Sequence, residues 1–125
     1  MTETAKLQKV KSLESELWKD SKNIDNISLE IVNILEGLVV DKFQNPVTLI
    51  NLGAMYSNLG RHREALKVLR EAEDMKVEDS NLFFNLGIVL INLQEADTAK
   101  IYFEKSRLLK PGELTFQAYI DFHGY

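Results

Sequence analysis

Asparagine is the residue type whose spacing in this chain most clearly suggests chemistry. Four asparagines form two pairs, Asn51 with Asn85 and Asn58 with Asn92, and the members of each pair are 34 residues apart. A side-chain amide donates and accepts hydrogen bonds, so asparagines stacked at a regular interval can bind a peptide backbone. Each such bond contributes roughly 0.5–1.5 kcal/mol net. The alternative is that these amides tie one helix of the protein to the next.

Residues that enzymes and metal sites commonly require are scarce. The 125 residues include no cysteine and only two histidines, His62 and His123, so disulfides, thiol catalysis and cysteine-based zinc sites are excluded. The histidines do not have metal-ligand spacing. Ser57 and Ser80 lack an ordered histidine for a hydrolase triad, and no glycine-rich phosphate loop is present. We therefore expect no enzymatic activity, no cofactor and no metal.

Composition and charge are those of an ordinary globular protein and argue against some classes of partner. Hydrophobic residues make up 45% of the chain and charged residues 27%, while the net charge is -4. This acidic balance argues against a nucleic-acid partner, which usually requires a basic patch. No run of about 18 apolar residues is present, so we expect no membrane insertion. Residues 1–6 do not resemble the apolar core of a signal peptide, and we expect a cytoplasmic location.

An internal repeat organises the middle of the chain. Residues 46–79 align with residues 80–113 without a gap, and a fixed period of this length is typical of repeat architectures. Seven positions are identical: Asn51/Asn85, Leu52/Leu86, Gly53/Gly87, Asn58/Asn92, Leu59/Leu93, Ala65/Ala99 and Lys76/Lys110.

Each unit is predicted to be a pair of helices. In the first unit, Asn45 can cap a helix over 46–58, Gly60 can break the chain, and a second helix follows over 62–75. In the second unit, Asp79 or Ser80 can cap a helix over about 80–93, and a second helix covers about 95–110. Gln94 replaces the turn glycine, so the sequence marks this turn less clearly. The small residues Gly53, Gly87, Ala65 and Ala99 would let the paired helices approach closely.

These residues resemble the tetratricopeptide repeat. The first unit carries Leu49, Leu52-Gly53, Tyr56, Gly60, Ala65, Leu69 and Ala72, and the second carries Phe83, Leu86-Gly87, Leu90, Ala99, Phe103 and Pro111. The resemblance implies an all-α fold, a short α-solenoid of stacked antiparallel helix pairs with about seven helices. It also implies that the first helix of each pair lines a concave groove that binds extended or helical peptides of partner proteins.

The regions on either side of the repeats are also predicted to be helical. Residues 1–44 have helical periodicity but lack the Asn-Leu-Gly core, so we interpret them as a degenerate or capping hairpin. Solenoid units cannot bury their faces alone, and about three layers are needed. Residues 113–123 are expected to form a C-terminal capping helix. The chain is thus expected to be one helical-repeat domain over 1–125.

Ten residues are predicted to line the partner-binding groove. They lie on one side of the first helix of each unit: Ile50, Asn51, Ala54, Asn58, Asn81, Phe84, Asn85, Ile88, Ile91 and Asn92. We expect Ile50, Phe84, Ile88 and Ile91 to lie on an open apolar surface that binds a partner, unless the chain's own termini cover them. Ile50 and Ala54 occupy the positions where the family's carboxylate clamp would need lysine and asparagine, so an acidic chaperone tail is not the expected ligand.

Four functional hypotheses follow. The first is a non-catalytic adaptor that binds a peptide or helix of a partner protein in the groove. The second is a dedicated small chaperone or immunity-type binder that sequesters one partner. The third, an enzyme, would need a closed polar pocket. The fourth is a homo-oligomeric scaffold that assembles through exposed apolar helix faces.

Overall fold

The chain forms a stack of helices. A computed structural model describes residues 2–17, 19, 24–40 and 45–118, and within these residues it has six helices and no strand. The helices are α1 (Glu3–Leu17), α2 (Ile24–Val40), α3 (Pro46–Asn58), α4 (His62–Asp74), α5 (Ser80–Asn92) and α6 (Ala96–Arg107). Each helix packs against the next in the chain, and α3 also contacts α5. The expected α-solenoid of helix pairs is confirmed, with six described helices where about seven were expected.

The first helices of the two repeats begin at the capping residues that the sequence indicates. The Asn45 side chain accepts a hydrogen bond from the Val47 amide at 2.9 Å, and Pro46 occupies the first helical position, where no amide is needed. Asp79 accepts from the Asn81 amide at 2.9 Å in the same way. Each cap satisfies an amide that has no partner within its helix, which fixes where the helix begins.

The turns between the paired helices have the same backbone conformation in both repeats. Gly60 has a φ of 78°, and Gln94, at the equivalent position, has a φ of 64°. The second turn therefore forms without the glycine that marks the first. Packing of α5 against α6 holds Gln94 in a left-handed conformation that costs a non-glycine residue about 1–2 kcal/mol.

The repeat glycines have equivalent neighbours. A Cβ atom built on Gly53 would collide with the Leu69 side chain, and one built on Gly87 would lie 2.6–2.8 Å from the Phe103 ring. Leu69 and Phe103 occupy the same position of the two repeats. The missing side chain therefore lets a large residue of the second helix rest directly on the first helix, once in each unit.

The N-terminal helices complete one continuous core. Helix α1 buries Leu7, Val10, Leu13 and Leu17, and these side chains belong to the same apolar cluster as those of the repeats. The Tyr56 hydroxyl of α3 donates to the Glu36 carboxylate of α2 at 2.9 Å. Burial and this hydrogen bond raise the pKa of Tyr56 to about 12. Helices α1 and α2 thus form a pair that precedes the first repeat, and α2 packs against α3.

The C-terminal segment differs from the sequence expectation. Residues 113–118 are not helical, so the predicted capping helix over 113–123 is wrong in its described part, and residues 119–123 lie outside the described residues. The backbone groups of Leu114, Phe116 and Ala118 bond to side chains of α3 and α5. Those bonds replace the internal ones that a helix would form.

Candidate peptide-binding groove

A groove between α3 and α5 contains the chain's own C-terminal segment. We call residues 114–118 the tail. Gly112 lies at the start of α5, where its amide donates to Asp79 at 3.1 Å, and the tail then runs toward the middle of the helix. From α1, the Lys11 ammonium donates to the Glu113 carbonyl at 3.1 Å. Residues 113–118 therefore contact α1, α3 and α5, the first helix of each pair.

Two equivalent asparagines bind the backbone of the tail. The side-chain amide of Asn51 donates to the Leu114 backbone carbonyl at 2.9 Å and accepts from the Phe116 backbone N–H at 3.0 Å. The side-chain amide of Asn85 donates to the Phe116 backbone carbonyl at 3.0 Å and accepts from the Ala118 backbone N–H at 2.8 Å. Moving from one repeat to the next shifts the bonded atoms by two residues. Two residues is the period at which the groups of an extended chain return to the same side.

A third asparagine bonds to the residue between these contacts. The Asn81 amide nitrogen donates to the Thr115 carbonyl at 3.1 Å and to the Thr115 hydroxyl at 2.9 Å. Asn81 lies one helical turn before Asn85 on α5, so the two side chains follow the direction of the tail. Asn51, Asn81 and Asn85 are nearly fully buried, and these bonds satisfy polar atoms that would otherwise lie unpaired in the core.

The side chains of the tail alternate in burial. Phe116 is 7% exposed and Ala118 is 3% exposed, and both belong to the central apolar cluster together with Ile50 and Ile88. Gln117, between them, is exposed. The groove thus accepts one aromatic and one small side chain at alternate positions of an extended chain.

The structure brings together part of the predicted groove. Six of the ten predicted residues are buried: Ile50, Asn51, Ala54, Asn81, Asn85 and Ile88. Three are half-buried: Asn58, Phe84 and Asn92. Ile91 is 36% exposed, and the Phe84 ring meets the Phe103 ring edge-on with centroids 5.6 Å apart.

The expectation of an open apolar surface is wrong for two of its four residues. Ile50 and Ile88 are each 1% exposed, because they lie in the core cluster that also contains Phe116 and Ala118. The structure therefore agrees with the alternative in which the chain's own terminus covers the groove. The asparagine contacts have the form that the sequence suggested, an amide bound to a peptide backbone, but that backbone belongs to the same chain.

The sequence analysis did not predict the extended tail, nor the bonds that Lys11 and Asp79 make to the two residues before it. Leu114, Phe116 and Ala118 alternate with polar residues, a period of two that indicates an extended segment. Pro111 and Gly112 precede them and mark a chain that has left the helix. No sequence signal identifies Lys11, and nothing showed that the cap Asp79 also accepts from Gly112.

Neutral amides supply most of the polar contacts in the groove. The one charged side chain with a hydrogen bond to residues 113–118 in the described structure is Lys11. Across residues 2–17, 19, 24–40 and 45–118, no three histidine, aspartate or glutamate side chains lie close enough together to hold a metal ion. In the same part of the chain, no helix combines the length and the apolar character needed to cross a membrane.

Comparison with known proteins identifies the repeats. The model of the tetratricopeptide repeat family matches residues 47–76 and 80–112, slightly more than half of the chain. No curated protein and no solved structure matches the chain. Tetratricopeptide repeats generally mediate protein–protein interaction. The matched residues coincide with the helix pairs α3–α4 and α5–α6, and the chain belongs to the tetratricopeptide repeat family.

Proposed function

We propose that the protein is a non-catalytic interaction module that binds an extended segment of a partner protein in the groove between α3 and α5. One observation carries this proposal: Asn51 and Asn85 bind a five-residue segment through its backbone alone. Backbone groups are common to all proteins, so the same contacts are available to a segment from another chain.

An extended ligand fits these contacts better than a helical one. Inside an α-helix, each carbonyl accepts from the amide four residues later, so few backbone groups remain for Asn51 and Asn85. An extended segment leaves the amide and carbonyl of every second residue free on one side. Of the two ligand forms that the sequence left open, a peptide or a helix, we therefore propose the extended peptide.

Affinity capture with groove variants tests this function. The wild-type protein, an Asn51→Ala/Asn85→Ala variant and a Gln117→Ala control would be immobilised and exposed to native cell extract. We expect the wild type and the control to capture the same partner. The double variant should capture at least 90% less of it, because the ligand backbone loses the asparagine side chains to which it would bond. Equal capture by a folded double variant, checked by circular dichroism, would place partner binding outside the groove.

The outer face of α6 supports a second candidate function, self-assembly. Ile101 is 59% exposed and Leu108 is 75% exposed, and their spacing of seven residues places them on one side of the chain. The equivalent residues of the first repeat, Lys67 and Asp74, are exposed although a helix pair follows them, so this side lies on the outer surface of the stack. Light scattering over a concentration series should show a dimer that Ile101→Glu weakens. A monomer at every concentration would rule out self-assembly.

A further inference from the structure

We propose that the tail, Leu114-Thr115-Phe116-Gln117-Ala118, is an internal ligand, and that the partner displaces it with an extended segment of the same pattern. This inference rests on the proposed function and makes it more specific. The pattern has an aromatic residue at the third position and a small residue at the fifth. It also requires an amide N–H at both positions, which excludes proline there.

The backbone contacts explain the exclusion of proline. The side-chain oxygens of Asn51 and Asn85 accept from the amides of Phe116 and Ala118, and both asparagines are at most 1% exposed. Proline has no amide hydrogen. A proline at either position would leave a buried acceptor without a donor and without access to water, which is costly. The groove should therefore discriminate against such ligands whatever their other side chains are.

The side-chain contacts explain the aromatic and small positions. Phe116 and Ala118 lie in the core cluster, whereas Gln117 is exposed and Leu114 and Thr115 are half-buried. A larger residue in place of Ala118 would overfill a site that is 3% exposed. A partner segment can accordingly vary most at the fourth position, and it is constrained at the third and fifth.

The attachment of the tail makes displacement feasible. No helix includes residues 108–118, so release of the tail unwinds none. Among described tail residues, only Phe116 and Ala118 have buried side chains. A tethered segment competes at an effective concentration that is in the millimolar range for short flexible linkers. The tail should therefore lower the apparent affinity for a partner segment and limit binding to segments that fit better or are locally concentrated.

A labelled peptide measures this competition. The probe is a fluorescein-labelled peptide with the sequence of residues 111–118, acetylated and amidated. Fluorescence anisotropy reports its binding to the wild-type protein and to its variants. In Phe116→Ser, the protein's own tail loses its main buried contact while the groove keeps Asn51 and Asn85. We expect this variant to bind the probe at least tenfold more tightly than the wild type. The Gln117→Ser control should bind it as the wild type does.

A second peptide tests the recognition of the amide. Proline in place of the alanine that corresponds to Ala118 should weaken binding to the Phe116→Ser variant at least tenfold. If Phe116→Ser does not fold, as judged by circular dichroism, Ala118→Pro replaces it. This change removes one amide from the protein's own tail, and the same tenfold gain over the wild type is expected.

Two results would overturn the inference. One is equal binding of the probe by the wild type and a folded tail variant, since the tail would then not compete. The other is the absence of binding to a folded tail variant, since the tail would then be a structural segment only. In either case, partner capture that still depends on Asn51 and Asn85 would leave the proposed function standing. If partner capture also does not depend on Asn51 and Asn85, the proposed function is contradicted as well.

Discussion

At the residue scale, three buried asparagines hold the tail mainly through its backbone. Burial of an amide is unfavourable unless its donor and acceptor are both bonded. Asn51 and Asn85 meet this condition with tail atoms, and Asn81 donates to two oxygens of Thr115. When the tail leaves, those amides need another extended backbone or water, which favours replacement of one segment by another.

The left-handed residue Gln94 gives a prediction about stability. Gln94→Gly should stabilise the fold by about 0.5–1 kcal/mol, because glycine adopts this backbone conformation without strain, although it loses more entropy on folding. The reciprocal change Gly60→Gln, at the equivalent position of the first repeat, should destabilise by about 1–2 kcal/mol. Urea unfolding measures both. Destabilisation by Gln94→Gly would show that the glutamine side chain contributes more than the strain costs.

His62 gives a prediction about pH. Burial lowers the pKa of His62 from its usual value of 6.5, and its Nδ1 has no hydrogen-bond partner in the structure. The folded state therefore resists protonation that the unfolded state accepts, so stability is retained above pH 6.5 and lost as the pH falls below it. The His62→Ala variant should therefore lose less folding stability on acidification than the wild type.

Unfolding midpoints measured at about pH 7.5 and about pH 5 test this expectation. Between these two conditions, the wild type should lose more stability than His62→Ala. Alanine is a conservative replacement here, since Ala96 occupies the equivalent position of the second repeat. An equal loss in both proteins would assign the acid sensitivity to other groups.

At the scale of the elements, the glycines set the distance between paired helices. Gly53→Ala should destabilise by about 1–3 kcal/mol, because the added methyl group collides with Leu69 in a packed core. Gly37, in α2, is the matched control, since a Cβ atom there meets nothing within 4 Å. Gly37→Ala should stabilise by about 0.5–1 kcal/mol, as alanine is the better helix former. Two changes of the same sign in thermal unfolding would contradict this assignment.

The helices of the repeats could be predicted from sequence because their signals are local. Asn45 caps the helix that it was expected to cap, Asp79 is the cap among the two candidates for α5, and α3 covers the expected residues 46–58. The tail could not be predicted in this way. Leu114, Phe116 and Ala118 have the alternation of an extended segment, but so short a pattern does not exclude a helix. Bonds to Asn51 and Asn85, which are distant in sequence, decide between the two.

The candidate site was predictable only in part, for the same physical reason. The repeat spacing identified Asn51 and Asn85 as equivalent residues, and helical periodicity placed Ile50 and Ile88 beside them. Periodicity gives the side of a helix on which a residue lies, but not what covers that side. The burial of Ile50 and Ile88 depends on tertiary packing, which the spacing within one helix does not contain.

At the scale of the whole molecule, the repeats, the N-terminal helices and the tail form one unit. Helix α1 contributes Lys11 to the path of the tail, and α3 and α5 contribute the asparagines. The first helix of each of the three pairs therefore contacts residues 113–118, although the family match covers two of the pairs. Binding of an extended segment across these helices is the central claim of the proposed function.

Amide hydrogen exchange of the 125-residue protein, followed by NMR, tests this claim most directly. We expect an alternating pattern in the tail. The amides of Phe116 and Ala118 should exchange slowly, because they donate to buried Asn51 and Asn85, whereas the Gln117 amide between them should exchange rapidly. Slow exchange at three consecutive amides would indicate a helix. Rapid exchange at all three would show that the groove does not hold the segment, and either result would contradict the claim.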